Sequence, residues 1–147
     1  MQHTQNRPSC QASGTHVNLR LGPAQPTAQR LKFFHGTTWD AACRIESNGF
    51  MPSQSGCLGR GVYVAREDKA TRFARQRAEE NYEDYGGLVE LVVRFSNPKY
   101  VLSNDYGWQS EGYDACRAER TSASTNMEWC ILSPDQIDVV GVEPVYV

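Results

Sequence analysis

The chain has no excess of charge of one sign. Seventeen acidic residues face fifteen Lys and Arg over 147 residues, for a net charge of −2. A broad electrostatic grip on nucleic acid or on an anionic membrane is therefore not expected, although a local basic patch remains open. Long apolar runs are also missing, and nothing approaches the roughly 20 residues of a membrane helix. The opening stretch MQHTQNRPSC lacks the apolar centre of a secretory signal. Cysteine is sparse and unpatterned: Cys10, Cys43, Cys57, Cys116 and Cys130 are odd in number and form no C-x-x-C pair. That argues against a zinc site or a disulfide framework. It predicts five free thiols in a reducing, intracellular setting, cytoplasmic or nuclear. His3, His16 and His35 show no metal-ligand spacing, so no metal is expected.

The length suits one domain with its own core. Residues 1–28 are rich in Gln, Thr, Ser, Asn, Pro and Gly and read as a flexible polar tail. From residue 29 the chain becomes periodic. Leu31 to Phe34 reads as a short strand. A helix follows, with a threonine or Asp40 able to accept the orphan N–H groups of its first turn. Trp39, Ala42, Cys43 and Ile45 supply its apolar face, and Ser47-Asn48-Gly49 stops it. Gly61 to Ala65 reads as a strand. A second helix runs from Glu67 to about Asn81, with Ala70, Phe73, Ala74 and Ala78 at helical spacing and Lys69, Arg72, Arg75 and Arg77 on its wet face.

Gly86-Gly87 is expected to turn the chain into a half-buried strand, with Val89, Leu91, Val93 and Phe95 on its apolar side. Lys99 to Leu102, Glu128 to Leu132 and Gln136 to Val142 read as further strands, the last two joined by a Ser133-Pro134-Asp135 turn. Residues 103–127 give no clear pattern. Strands outnumber helices and no β-α-β alternation persists, so the expected class is α+β.

Three chemically able residues fall at strand edges. His35 opens the run His-Gly-Thr-Thr, Tyr63 follows a glycine-rich loop, and Glu128 stands in apolar company. Taken singly, each has an ordinary reading: a satisfied histidine, a core tyrosine, a solvated strand-end carboxylate. Trp39, Trp108 and Trp129 read as packing residues.

Their order is more specific. HGT, then NGF, then G-x-L-G-R-G-V-Y-V-A followed by D-K-A-x-x-F-A, and finally E-W-C-I-L-S-P-D-Q-I resemble the catalytic domain of the poly(ADP-ribose) polymerase-like ADP-ribosyltransferases over residues 31 to 142. The W-Q-S-x-G-Y-D stretch at 108–114 is similar to small single-domain members. The resemblance implies an ADP-ribosyltransferase-like fold over residues 29–147, with split mixed and antiparallel sheets and two main helices. It implies NAD as co-substrate and a catalytic trio of Glu128, His35 and Tyr63. Glu128 would hold the ribose 2′-hydroxyl and favour positive charge on the ribose. Gly36 would pair the nicotinamide amide through its backbone, with no side chain to crowd the ring. Tyr63 would stack on the ring and Phe73 would match a second stacking aromatic. His35, helped by Thr37, would hold the adenosine ribose, and the glycines beside Arg60 would bring it near the cleft.

One departure stands out. Many polymerases set a serine against the nicotinamide amide, and the matching position here is Ala70, or Thr71 if the register slips by one. The expected activity is transfer of a single ADP-ribose to a protein or nucleic-acid acceptor, by a monomer, with release of nicotinamide. An RNA 2′-phosphotransferase also uses His-Gly-Thr, but it needs no late glutamate. A module that binds NAD or ADP-ribose without turnover is the third reading.

Overall fold

The computed structural model describes residues 8, 10, 28–119 and 127–147. The polar tail expected over 1–28 lies outside the described residues except at Pro8, Cys10 and Ala28. Among the described residues the architecture is α+β, with two helices and two sheets. Strand β1 (Gln29–Thr38) leads into α1 (Trp39–Asn48). After a loop come β2 (Val62–Val64), α2 (Glu67–Glu80), β3 (Tyr85–Phe95) and β4 (Pro98–Val101). Then follow β5 (Ala115–Glu119), β6 (Met127–Ile131), a 3-10 turn over Pro134–Gln136 and β7 (Ile137–Tyr146).

The first sheet has the order β1-β3-β7 and is antiparallel throughout. The second has the order β2-β6-β5-β4, antiparallel except for the parallel β4–β5 pair. A two-way backbone bridge joins them, Phe34 N–H to Ala65 O and Ala65 N–H to Phe34 O, each 2.8 Å.

Alternation along β3 decides what covers each face of the first sheet. Val89, Leu91, Val93 and Phe95 point one way, as the spacing predicts. They form the main core with Trp39, Ala42 and Cys43 of α1 and with Trp129 and Ile131 of the second sheet. Leu88 points the other way and packs with Val145 against Ala70 and Ala74 of α2. The two helices therefore sit on opposite faces. All three tryptophans are packing residues, with Trp108 fully buried and its indole N–H bonded to Leu58 O at 2.7 Å.

Gly86 and Gly87 do not form a turn. They lie inside β3, where the helices come closest. A Cβ on Gly86 would stand 2.1 Å from Ala74 O, and one on Gly87 would stand 2.5 Å from Ala42 Cβ. Helix ends follow the sequence signals more closely. Thr38 caps α1 by accepting from Ala41 N–H at 3.1 Å, and Gly49 ends it at φ 83°.

The expectation of five free thiols is corrected: Cys10 and Cys43 form a disulfide, and Cys57, Cys116 and Cys130 are outside any disulfide. Residues 33 apart carry no spacing signature. Cys43 is on the buried face of α1 and Cys10 packs against the same core. The inference of a reducing compartment loses the support it drew from free thiols. Among the described residues no helix is long and apolar enough to cross a membrane.

Candidate active site

Between the two sheets opens a cleft of about 620 Å³, within the ordinary range for small-molecule and cofactor sites. One wall is β1 with α2, contributing His35, Gly36, Thr37, Ala70 and Phe73. The facing wall is β2, β6 and the loop before β2, contributing Tyr63, Glu128, Phe50 and Cys57. The end of α1 adds Arg44, Ile45 and Asn48.

His35 is held by both walls. Its Nδ1 lies 2.7 Å from Tyr63 O, and its ring meets Phe50 edge-on at 5.3 Å. A carbonyl can only accept, so Nδ1 carries the proton and donates. Nε2 is then the ring's free lone pair while the ring stays neutral. Burial lowers the histidine's pKa below its ordinary value. The bond to Tyr63 O opposes that shift, and the Arg77 charge adds to it.

Gly36 is fixed by α2. A Cβ here would stand 1.8 Å from Ala70 O and 2.8 Å from Ala74 N. The reason expected for this glycine, room for a ligand ring, is thus corrected to close approach of a helix backbone. Its backbone nonetheless lines the cleft. Phe34 spends its N–H and C=O on the Ala65 bridge. Two residues on, Gly36 turns its own N–H and C=O to the same strand edge, because peptide groups along a strand alternate in direction. A donor and an acceptor thus stand side by side on the cleft. Ala70 is buried and lines the cleft while Thr71 does not, so the helix register presents Ala70.

Tyr63 works at both ends. Its hydroxyl accepts from Leu58 N–H at 3.0 Å and donates to Gly59 O at 2.5 Å, clamping the loop. Gly56 lies so close that a Cβ there would be 2.3 Å from the hydroxyl. The ring remains half-exposed along the cleft. Burial first, and then the neighbouring Cys130 thiol, raise the phenol's pKa well above its usual value, so it stays neutral. Burial likewise pushes the Cys130 thiol up to about 12.

Register puts Glu128 beside this ring. Tyr63 pairs with Cys130, and Glu128 is two residues from Cys130 on the same face of β6. The alternate residue, Trp129, points into the core against Phe33 and Phe95. Glu128 is half-buried and its Oε2 is enclosed.

Thr37 and Phe73 also line the cleft, Phe73 with 40 % of its surface open. Arg60 does not line it. Its side chain is exposed, and its carbonyl accepts from the Gln109 side chain and the Cys130 thiol. Sequence reasoning passed over Phe50 and Arg44, and placed Lys69 and Arg77 on a wet face although both reach the cleft. The i, i+4, i+8 spacing of Lys69, Phe73 and Arg77 was the available signal. Among the described residues no His, Cys, Asp and Glu cluster could hold a metal ion. No protein-family model matches the chain, and no curated protein matches it.

Proposed function

We propose that this chain is an NAD-dependent ADP-ribosyltransferase that moves one ADP-ribose unit and releases nicotinamide. The observation that carries the reading is that His35 from β1, Tyr63 from β2 and Glu128 from β6, distant in sequence, line one cleft. NAD supplies the glycosidic bond to be broken and a cationic pyridinium as leaving group, so little acid catalysis is required. The chain's part is to hold and to stabilise.

The N–H and C=O of Gly36 match the two polar ends of a carboxamide. Tyr63 offers a ring held in place through its hydroxyl, suited to stacking on a flat heterocycle. Glu128 stands on the same face and can accept from a ribose hydroxyl while its charge favours the oxocarbenium-like ribose. His35 Nε2 is left to accept a hydrogen bond from a hydroxyl of the second ribose. Ala70 offers no hydroxyl to the amide, so that end relies on Gly36 alone.

One observation favours the 2′-phosphotransferase reading: Arg44, Lys69 and Arg77 all line the cleft. Such chemistry has no need of Glu128 beside Tyr63, and that ranks it second. The deciding experiment incubates purified protein with nicotinamide-labelled NAD and follows label release, with benzamide as competitor. Release that benzamide suppresses supports the transferase. Nicotinamide release that occurs only with 2′-phosphorylated RNA, with the RNA phosphate recovered on the ADP-ribose, establishes the alternative. Tight ADP-ribose binding without release from NAD leaves a binding module.

A further inference from the structure

Helix α2 ends at a strained residue. Glu83 N–H reaches back to Ala78 O at 2.8 Å and Tyr82 N–H to Glu79 O at 3.2 Å, the two bonds of a Schellman ending. Such an ending needs one residue in the left-handed region, and here it is Tyr82, at φ 56°. Glycine takes this conformation freely, whereas a Cβ crowds the following carbonyl. Among the described residues Tyr82 is the one non-glycine with a positive φ. Packing does not offset the strain, since the side chain is 98 % exposed. A bulky residue that costs stability and fills no space points to a use outside the fold.

Its neighbours narrow that use. Glu79 and Glu80 stand three and two residues before it, Glu83 and Asp84 directly after, and all four are exposed. The approach to the phenol is therefore strongly negative and complementary to a basic groove. Other tyrosines lack the combination. Tyr85 shares the acidic flank, but its ring is partly buried and meets the rings of Trp39 and Tyr146 at 6.0 and 5.6 Å. Tyr100 is exposed, yet it sits in β4 beside Lys99 and faces the Arg117 guanidinium at 5.1 Å. The Tyr82 turn is also easy to open, because it is a helix end whose residues 79–84 are all exposed.

We infer that Tyr82 is a phosphorylation site for a tyrosine kinase that reads acidic flanks. This does not depend on the transferase reading above. The phenol oxygen attacks the γ-phosphorus of a nucleoside triphosphate. An O–P bond forms as the bond from that phosphorus to the bridging oxygen breaks, and its electron pair leaves with the diphosphate. The phenol proton passes to the kinase's catalytic carboxylate. The ester brings a charge of about −1.5 to −2 at pH 7. It stands among four carboxylates and at the negative end of the α2 dipole, so the last turn should loosen. Arg77 is the basic residue of that turn. It lies 4.0 Å from Glu80 and also lines the cleft, so a phosphate on Tyr82 competes for it.

The test uses the whole chain, a purified tyrosine kinase of acidic-substrate preference and ATP labelled at the γ-phosphate, with peptide mapping of the product. Label should sit on Tyr82 and leave Tyr85 and Tyr100 unmodified. A variant combining Glu79→Gln, Glu80→Gln, Glu83→Gln and Asp84→Asn should be labelled about tenfold more slowly, and added salt should slow the wild type toward the same rate. Phosphorylated protein should show faster amide exchange over residues 78–83 than unmodified protein. Tyr82→Gly should melt a few degrees above wild type, because glycine relieves the left-handed strain. The substituted residues are exposed, and circular dichroism confirms that each variant is folded. Label spread evenly over the exposed tyrosines, or labelling indifferent to the acidic flank, overturns the site. So does an unlabelled Tyr82 with a kinase that labels an acidic control peptide. A glycine variant that melts below wild type overturns the strain that singles out Tyr82.

Discussion

On the β1–α2 side of the cleft, backbone meets backbone. Gly36 and Gly86 lie under Ala70 and Ala74 with no room for a single added carbon, and the small side chains of α2 are what let the helix come so close. On the β2–β6 side, contact is made by side chains. The loop over residues 56–59 is held by the Tyr63 hydroxyl, and Glu128 stands on the same face. The first wall is a close-packed surface that cannot change without loss of packing. The second is a set of polar groups attached to a scaffold, where a residue can be exchanged at the cost of function before stability. The glycines differ in the same way. Gly36 is needed for proximity, whereas Gly59, at φ 76° with no atom nearer than 3.8 Å to an added Cβ, is needed for the turn it makes.

The largest expected effect lies on the second wall. Glu128→Gln keeps size and hydrogen-bonding capacity but removes the charge that matters when the ribose becomes positive. Transfer should fall about 10²–10³-fold while NAD affinity and melting temperature stay close to wild type. Full activity in this variant would break the assignment of chemistry to that wall.

Next comes the first wall, where the order of effects should reverse. Gly36→Ala puts a Cβ into the Ala70 carbonyl, and the strand or α2 must move to relieve it. Overpacking of this kind costs about 1–3 kcal/mol or more. Urea unfolding should show that loss, together with weaker ligand binding as a consequence. An alanine variant as stable as wild type would mean that α2 is free to slide, and the contrast between the walls would fail.

Tyr63 sharpens the comparison because it serves both purposes. Tyr63→Ala removes the stacking ring and should weaken benzamide binding by about 1 kcal/mol. Tyr63→Phe keeps the ring but leaves Leu58 N–H and Gly59 O without their partner. It should bind benzamide nearly as well and lose about 1 kcal/mol of stability, with faster amide exchange over residues 56–59. Equal behaviour of the two variants would show that the ring does not face the ligand.

Much of this division was legible in the sequence. The apolar face of β3, the caps of α1 and the placing of Tyr63 and Glu128 on strands all follow from local periodicity and turn chemistry, whereas His35, expected just past a strand ending at Phe34, lies inside β1, which runs on to Thr38. Gly86-Gly87 was misread because the same two letters mark a turn or a helix crossing. Only the opposing Ala42 and Ala74, on other elements, tell them apart. The Cys10–Cys43 bond was invisible for a similar reason, since a cysteine in a polar segment gives no hint of which helix it returns to. Strand β5 was missed because Ala115–Glu119 is short and carries an arginine and a glutamate. Its pairing with β4 and β6, more than its own residues, makes it a strand. Arg60 was placed near the cleft on its glycine neighbours, which bring the backbone close while the side chain points to solvent.

The smallest effect expected near neutral pH joins the two walls through His35. Its ring belongs to β1 and donates to a carbonyl of β2, and burial holds its folded pKa below 6.5. Above pH 6.5 the ring is neutral whether folded or unfolded, and stability should not depend on it. As pH falls below 6.5 the unfolded histidine takes up a proton that the folded one resists, so stability falls. The decline levels off below the folded pKa, where both forms are charged. One proton limits the slope to about 1.4 kcal/mol per pH unit. Protonation of Nε2 in the folded protein also removes the lone pair assigned to the ribose hydroxyl, so NAD binding should weaken at lower pH than the onset of the stability loss, as pH falls through the folded pKa. Urea unfolding and NAD calorimetry between pH 8 and pH 5 provide the two readouts, with His35→Gln as control. The wild type should lose stability relative to the variant below pH 6.5. Parallel curves for the two proteins would mean that the imidazole is free to ionise in the fold, and that the contact between the walls at Tyr63 O does not fix its tautomer.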